Sequence, residues 1–357
     1  MSTTTRSKKQ IILRASLMKY RIDILRNFIP IGTLAVTNCT VKFDSGAKIK
    51  RGATITTNMA MMQLSTPDFQ RMSDRISPVI IDDDGTEHRE GVFMIVSDPV
   101  SYSSAYNLTN LELYDESYIL DQTAFDSRQY FAAGMAYTDV FGSILTACGL
   151  VRQLIEPSSG TLAIEREFAV GDNALDTLNL LLEEAGYNSL YMDANGYACC
   201  KLKSNPSVPS FVYRSGDSSN IREGISGNID VYGIPNVFVG VVSTPEQGVM
   251  MYTAENHNLN SELSIERRGY KLTKVYKLDS VASSAELQLY VNELLNDSMT
   301  ALQSVSFNTT IETGHSYKDV IQIETDDISG LYVEKSWSLT FGTDAVMTHI
   351  AERRVVV

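Results

Sequence analysis

What most constrains this chain is that its apolar residues come in short runs with a period of two. Val41 and Phe43 alternate with polar neighbours, Ile49, Ala53 and Ile55 repeat the pattern, and Gly46, Gly52 and the run Asp82-Asp83-Asp84-Gly85 interrupt it. Such alternation puts the apolar side chains on one face of a pleated strand, and Asp and Gly supply the turns between strands. Residues 90–100 and 106–114 continue the pattern, with Ser101, Ser103 and Ser104 at the reversal between them. A half-buried antiparallel sheet or barrel is predicted over residues 17–132, after a basic N-terminal arm at 1–16 that reads as flexible.

Three stretches break with that period. Phe141, Ile144, Leu145 and Cys148 follow helical spacing, with Thr138 as the predicted cap and Gly149 where a helix would stop. Leu175, Leu178, Leu181, Leu182 and Ala185 line one helical face between Asp172 and Gly186, and a hairpin turning at Asp193-Ala194-Asn195-Gly196 follows. These two predict an α+β helix-hairpin unit over 133–205. Pro206 and Pro209 mark a linker, after which Val212, Ile221, Val231, Val237, Val239 and Val241 return to strand patterning. Ser283 and Glu286 have capping-box spacing, and Leu287, Tyr290, Val291, Leu294, Leu295 and Leu302 predict a helix at about 284–302. Residues 206–303 are therefore read as a β-rich domain with a long helix, and 304–357 as closing β-strands. The fold class expected is α+β, mainly β.

At 357 residues the chain exceeds the usual 100–200 or so per domain, so several domains are expected. Acidic residues outnumber basic ones by 43 to 30, for a net charge of −13, and no Lys/Arg stripe offsets the excess. Tight nucleic-acid binding draws its affinity from basic groups that neutralise phosphates, so it is disfavoured. The longest apolar runs, such as Val92 to Val96, fall well short of the roughly 20 residues a membrane-spanning helix needs, and Arg14 interrupts the only apolar stretch near the N-terminus. No signal peptide and no membrane insertion are expected, and synthesis is placed in the cytoplasm. Cys39, Cys148, Cys199 and Cys200 read as reduced thiols packed in cores.

The motifs for phosphate loops, dinucleotide binding, zinc proteases and nucleophile elbows are absent, Gly224-Ile225-Ser226-Gly227 having the wrong spacing for the last. His88, His257, His315 and His349 lie far apart, so each alone reads as a surface or hydrogen-bonded residue, and only the fold could assemble a catalytic site from them. The acidic turns at Asp82-Asp83-Asp84 and Asp326-Asp327 lack the alternate-position ligands of a calcium loop and read as solvated tips. Glu183 and Glu184 read as the wet side of a helix, and Trp337, the single tryptophan, as a core anchor. No catalytic, cofactor-binding or metal-binding residue is assigned.

The order of the pieces carries more than any one of them. Leu111-Glu112-Leu113-Tyr114-Asp115, then Leu120, Tyr130, Gly134 and the helix at Phe141, resembles the first domain junction of the tail-hub (baseplate-hub) proteins of bacteriophages and phage-tail-like particles. The 175–185 helix with Gly186-Tyr187 and Tyr191 to Ala198 resembles that family's helix-plus-hairpin domain. Pro235 to Gly240 resembles its next strand, and Asn258 to Ile265 with Gly269 its connection into the long helix. Tyr317-Lys318-Asp319-Val320-Ile321 and Gly330 to Ser336 resemble its closing strands, although the family's pattern has Gly where this chain has Lys318.

The resemblance, spanning the chain from about residue 17, implies a multidomain hub with two β-barrel domains similar to the tail-tube fold, plus smaller α+β domains. It implies a homotrimer that adapts a sixfold tube to a threefold tip and leaves a channel for DNA. The implied location is the tail or baseplate of the virion. The implied neighbours are a tail tube or distal tail protein above, a spike, fibre or tip protein below, and the tape-measure protein. The chain stops after the closing strands at Arg353-Arg354-Val355-Val356-Val357, which is read as leaving no room for a peptidase or lysozyme. The rival readings are a cell-wall-degrading or carbohydrate-active tail enzyme, and a distal-tail or adhesin protein that binds host glycans.

Overall fold

The structure is a computed structural model that describes residues 19–356 apart from 59–67, 99, 103–106, 205–206, 217–218, 230, 245–247, 279–282 and 343–344. The predicted arm at 1–16 and the linker residue Pro206 lie outside the described residues. Along the chain the first unit supplies β1 (Lys19–Arg26), β2 (Ile29–Thr33), β3 (Val36–Asp44), β4 (Arg51–Thr57), β5 (Arg75–Ile81), β6 (Glu87–Arg89), β7 (Met94–Ser97), β8 (Val100–Tyr102) and β9 (Asn107–Tyr114). The alternation seen in the sequence sets its faces: Val41 and Phe43 of β3 and Ala53 and Ile55 of β4 point into one core, while Thr40, Lys42, Thr54 and Thr56 between and beside them face out or lie half-buried. Asp82 accepts the Gly85 N–H at 2.9 Å in the turn between β5 and β6, as that run predicted.

These strands form two layers. One sheet runs β2-β1-β5-β6 and the other carries β3-β4-β9-β7, and Ile22, Ile24, Ile76 and Ile80 of the first pack against Val41, Ile55, Leu111 and Leu113 of the second. The layers are clipped at one corner by a two-bond bridge between Ile76 and Phe93, and at the other by the Leu34 N–H donating to the Ile22 carbonyl at 2.8 Å. The unit is thus a flattened circuit of strands rather than the closed barrel that the resemblance implied.

The helix-hairpin unit follows, with α1 (Ser117–Gln122), β10 (Gln129–Phe131), α2 (Tyr137–Ala147), β11 (Gln153–Ile155), β12 (Arg166–Phe168), α3 (Ala174–Glu184), β13 (Tyr191–Met192) and β14 (Ala198–Cys200). Leu175, Leu178, Leu181 and Leu182 of α3 are buried against Val140, Phe141, Ile144 and Leu145 of α2. Burial of each leucine contributes about 1.5–3 kcal/mol, enough to order helices too short to persist alone. Asn173 caps α3 by accepting the Asp176 N–H, whereas α2 begins at Ala136 without a side-chain cap, so Thr138 is not the cap the sequence suggested.

The last third interleaves two units. The strands β15 (Phe211–Arg214) and β16 (Ile221–Ile229) are separated by β17 (Val237–Thr244), β18 (Gly248–Glu255), α4 (Ile265–Arg268), β19 (Thr273–Leu278) and α5 (Ser284–Ser298) from β20 (Thr300–Thr309), β21 (Val320–Glu324), β22 (Ser329–Phe341) and β23 (Val346–Val356). The sheet β18-β17-β19 is covered by α5, whose Leu287 and Val291 are buried against Phe238 and Val242. A Cβ on Gly240 would meet Val291 at 2.6 Å, so the close approach of helix and strand needs glycine there. The capping box forms as predicted, Ser283 accepting the Glu286 N–H, but Leu302 belongs to β20.

β15 and β16 pair with β21 and β20, and the order β15-β21-β22-β23-β20-β16 makes a second circuit around Tyr213, Phe307, Ile321, Ile323 and Tyr332. Asn220 nearly closes it, its side chain accepting the Arg214 N–H and donating to the Val212 carbonyl. No closed barrel forms among the described residues. Each circuit is completed by a few hydrogen bonds where a full ladder would be needed.

Candidate functional site

The two circuits meet along one line. β22 is 13 residues long and changes partner half-way: Ser329 to Val333 pair with β21 in the second circuit, and Ser336 to Phe341 pair with β3 in the first. The change coincides with a bulge between Glu334 and Ser336. Without the extra residue, the face that buries Tyr332 and Glu334 would go on to Ser336 and Ser338. The bulge shifts the phase by one, so Trp337, Leu339 and Phe341 become the buried set. Trp337 stacks on Phe43 of β3 at 5.9 Å between ring centroids, the core-anchor role expected of it.

At this seam the fold brings together groups that the sequence holds far apart. Glu334 is 2 % exposed, yet it accepts hydrogen bonds from His315 Nδ1 at 2.7 Å and His349 Nδ1 at 2.6 Å. His315 comes from the connection between β20 and β21, and His349 from β23 opposite Trp337. The outer nitrogens are engaged as well: His315 Nε2 lies 3.2 Å from the Tyr213 hydroxyl, and His349 Nε2 lies 2.9 Å from Thr309 Oγ1. Aromatic rings clad both imidazoles, Phe211 on His315 at 3.9 Å and Phe307 on His349 at 4.9 Å.

Burial alone would push the Glu334 carboxyl up, but the hydrogen bonds from the two imidazoles outweigh it and hold the group below the ordinary glutamate value. Burial, in contrast, wins at His349, holding it below the ordinary histidine value and favouring the neutral ring. An ionised carboxylate only accepts, so each Nδ1 carries a proton, and in the neutral His349 ring Nε2 accepts from the Thr309 hydroxyl.

Two imidazoles and a carboxylate are also a donor set that zinc takes. Zinc bonds of about 2.0–2.2 Å in a tetrahedron would hold their ligand atoms roughly 3.3 Å apart. The observed 2.6 and 2.7 Å match charge-assisted hydrogen bonds instead. No substrate reaches the three groups either, since none is more than 5 % exposed.

A second buried polar group adjoins on the first circuit. Arg51 of β4 lies 5.2 Å from the rings of both Phe43 and Trp337, donates to the Glu90 carbonyl at 2.7 Å, and offers its N–H to Asp115 at 3.0 Å. Burial pushes the Glu90 carboxyl up to about 7. Arg51 Nε, Glu90 Oε1 and Trp337 Nε1 have no hydrogen-bond partner among the described residues.

The other sequence candidates stay apart. His88 pairs with Asp82 and His257 with Glu255 and Glu266 at the surface, while Glu184 of the Glu183-Glu184 pair bridges to Arg166. Cys39, Cys199 and Cys200 are buried free thiols, and Cys148 is half-buried. Lys318 adopts φ +54, the left-handed region that favours glycine, at the rim of a polar cleft of about 450 Å³ beside α3. The backbone of the closing-strand motif thus keeps a glycine-like conformation although the side chain departs from the pattern.

No family model matches the chain, and no curated protein matches it in sequence. Solved structures do. A tail protein from Neisseria meningitidis MC58 superimposes with a TM-score of 0.64 at 10 % identity, over 94 % of this chain and 96 % of that one. The 43 kDa tail protein of prophage MuSo2 from Shewanella oneidensis gives 0.63 at 10 % identity, over 93 % and 98 %. The chain has the fold of phage tail proteins. A chain of the Francisella PdpA-VgrG complex shares this tail-protein fold at 0.59 and 8 % identity, over 94 % of this chain and 58 % of that one.

Proposed function

We propose that this chain is a structural tail-hub protein that assembles as a homotrimeric ring at the distal end of a tail tube. The observation that carries the reading is the pair of unclosed strand circuits, joined through β3 and β22 in one chain whose fold matches tail proteins over nearly its whole length. Two such circuits in each of three copies give six tube-like positions, which is how a threefold part continues a sixfold tube. The neighbours would be a tube or distal tail protein above and a spike, fibre or tip protein below, with the tape-measure protein a further partner, all within the virion tail.

The net charge of −13 fits a channel through which DNA passes without being held. A basic wall would gain affinity with each phosphate it neutralised, whereas an acidic wall repels over roughly a Debye length of 8–10 Å. The enclosure of the His315–Glu334–His349 cluster favours a structural role over the rival enzyme reading. Negative-stain imaging of the purified protein tests the proposal: threefold rings with a continuous lumen are expected. Sixfold rings would favour a distal-tail protein, and turnover of cell-wall polymer that a single acid substitution abolished would favour an enzyme.

A further inference from the structure

The helix-hairpin unit touches the first circuit at a turn whose backbone is strained. β1 and β2 pair Arg26 with Ile29, so Asn27 and Phe28 alone form the loop, and both lie in the left-handed region at φ +50 and φ +64. A two-residue hairpin loop asks for that geometry, which asparagine accepts and which at the second position favours glycine. A bulky side chain there is a steric outlier that persists only where its surroundings hold it. We propose that the Asn27-Phe28 turn is a sprung catch: a stack of Phe28, Arg152 and Tyr197 holds Phe28 in its strained backbone and pins the tip of the 191–200 hairpin to the first circuit, and this is the contact that lets go when the hairpin lifts. The proposal concerns the joint within one chain and holds whether or not the chain forms a ring.

Both units contribute to the stack. The Arg152 guanidinium lies 4.1 Å from the Phe28 ring centroid and 4.1 Å from that of Tyr197, so one planar cation faces two rings. Arg152 moves with the hairpin, because its carbonyl accepts the Ala198 N–H at 2.9 Å. Tyr197 is fixed by Asp193, whose Oδ1 accepts the Tyr197 N–H at 2.8 Å and whose own N–H donates to the Tyr197 carbonyl at 3.0 Å. Gly196, between them, packs on the first circuit. A Cβ there would meet Val92 Cβ at 3.0 Å and Phe28 Cε1 at 3.4 Å, so the hairpin tip closes over Val92, which is 2 % exposed.

Other contacts also hold the unit. Tyr191 of β13, 4 % exposed, stacks at 4.7 Å on Tyr317 from the connection between β20 and β21. Lys48, between β3 and β4, pairs with Asp121 at 2.7 Å and Asp176 at 2.9 Å, but ion pairs at the surface contribute little. The buried Tyr191 is therefore the firm anchor and the half-buried stack the releasable one. Release of the stack frees the turn to leave the left-handed region, which favours opening. The tip then swings about Tyr191, uncovering Val92 while the core between α2 and α3 stays packed.

The test compares the full natural chain with Phe28→Gly, Arg152→Ala and the double variant. Each single change should quicken amide hydrogen exchange about tenfold in peptides covering 92–96 and 193–198, with exchange in α2 and α3 unchanged. Phe28→Gly removes the stack along with the strain, so in the natural sequence it should lower the urea midpoint. In the Arg152→Ala background the stack is already lost and only strain is left to relieve, so the same change should raise the midpoint. Tyr197→Leu takes the place of Arg152→Ala should that variant fail to fold. Unchanged exchange at the tip in either single variant, or a midpoint shift of the same sign in the two backgrounds, would overturn the catch.

Discussion

Replacing Trp337 by alanine should show how firmly the two strand circuits are joined. Trp337 is 2 % exposed, stacks on Phe43 across the seam and lies against the Arg51 guanidinium. Truncating a buried large aromatic costs about 3–5 kcal/mol in lost burial and cavity formation. Loss of the ring facing Arg51 adds about 1 kcal/mol, and removing an indole N–H that has no partner among the described residues returns about the same, so the net stays near 3–5 kcal/mol. Trp337→Phe keeps the ring contacts and removes the same N–H, so it should lie within about 1 kcal/mol of the natural sequence. Urea unfolding followed by circular dichroism suits both variants, since neither retains a tryptophan. A cost below about 1 kcal/mol for the alanine variant would refute a packed seam. Equal losses in the two variants would instead mean that the indole N–H, and not the ring, holds the joint.

Three further outcomes are expected. Leu287→Asp should destabilise by several kcal/mol, since Leu287 of α5 is buried against its sheet, whereas Leu294→Asp, at a half-buried position, should cost clearly less; equal melting temperatures would contradict the packing of α5 on its sheet. Lys318→Gly should raise stability by up to about 1 kcal/mol by relieving a left-handed backbone, partly offset by glycine's entropy, and a lower denaturation midpoint would count against that. Glu90→Gln should flatten the loss of stability that accompanies a rise in pH from about 4.5 to about 7, because a raised carboxyl stabilises only while protonated. The span from 4.5 to about 7 bounds the gain at roughly 3 kcal/mol, and an unchanged slope of stability against pH in that window would refute it.

The parts of this fold legible in the sequence were those set by local pattern. Alternation placed Val41, Phe43, Ala53 and Ile55 on one buried face, helical spacing found α3 with its stop at Gly186, and the Asp193 to Gly196 turn lies between β13 and β14. What was not legible depends on pairing across long separations. β15 and β16 join β21 and β20 across the intervening sheet and helix, which no local period encodes. The cluster at Glu334 was missed because His315 and His349 carry no mutual spacing. One local signal was available: Tyr332 and Glu334 share the buried phase of a strand, and an acid on that phase needs partners. The following bulge hid it, since reading back from Trp337 and Leu339 places Glu334 on the wet face.

The proposed hub role stands or falls on assembly. Mass photometry of the purified chain at micromolar concentration, paired with symmetry analysis of assembled particles, tests this most directly. A species of three times the 39.5 kDa chain mass and a threefold ring in the tail are expected. A stable 39.5 kDa monomer in solution, with no ring of this chain in assembled tails, would contradict it.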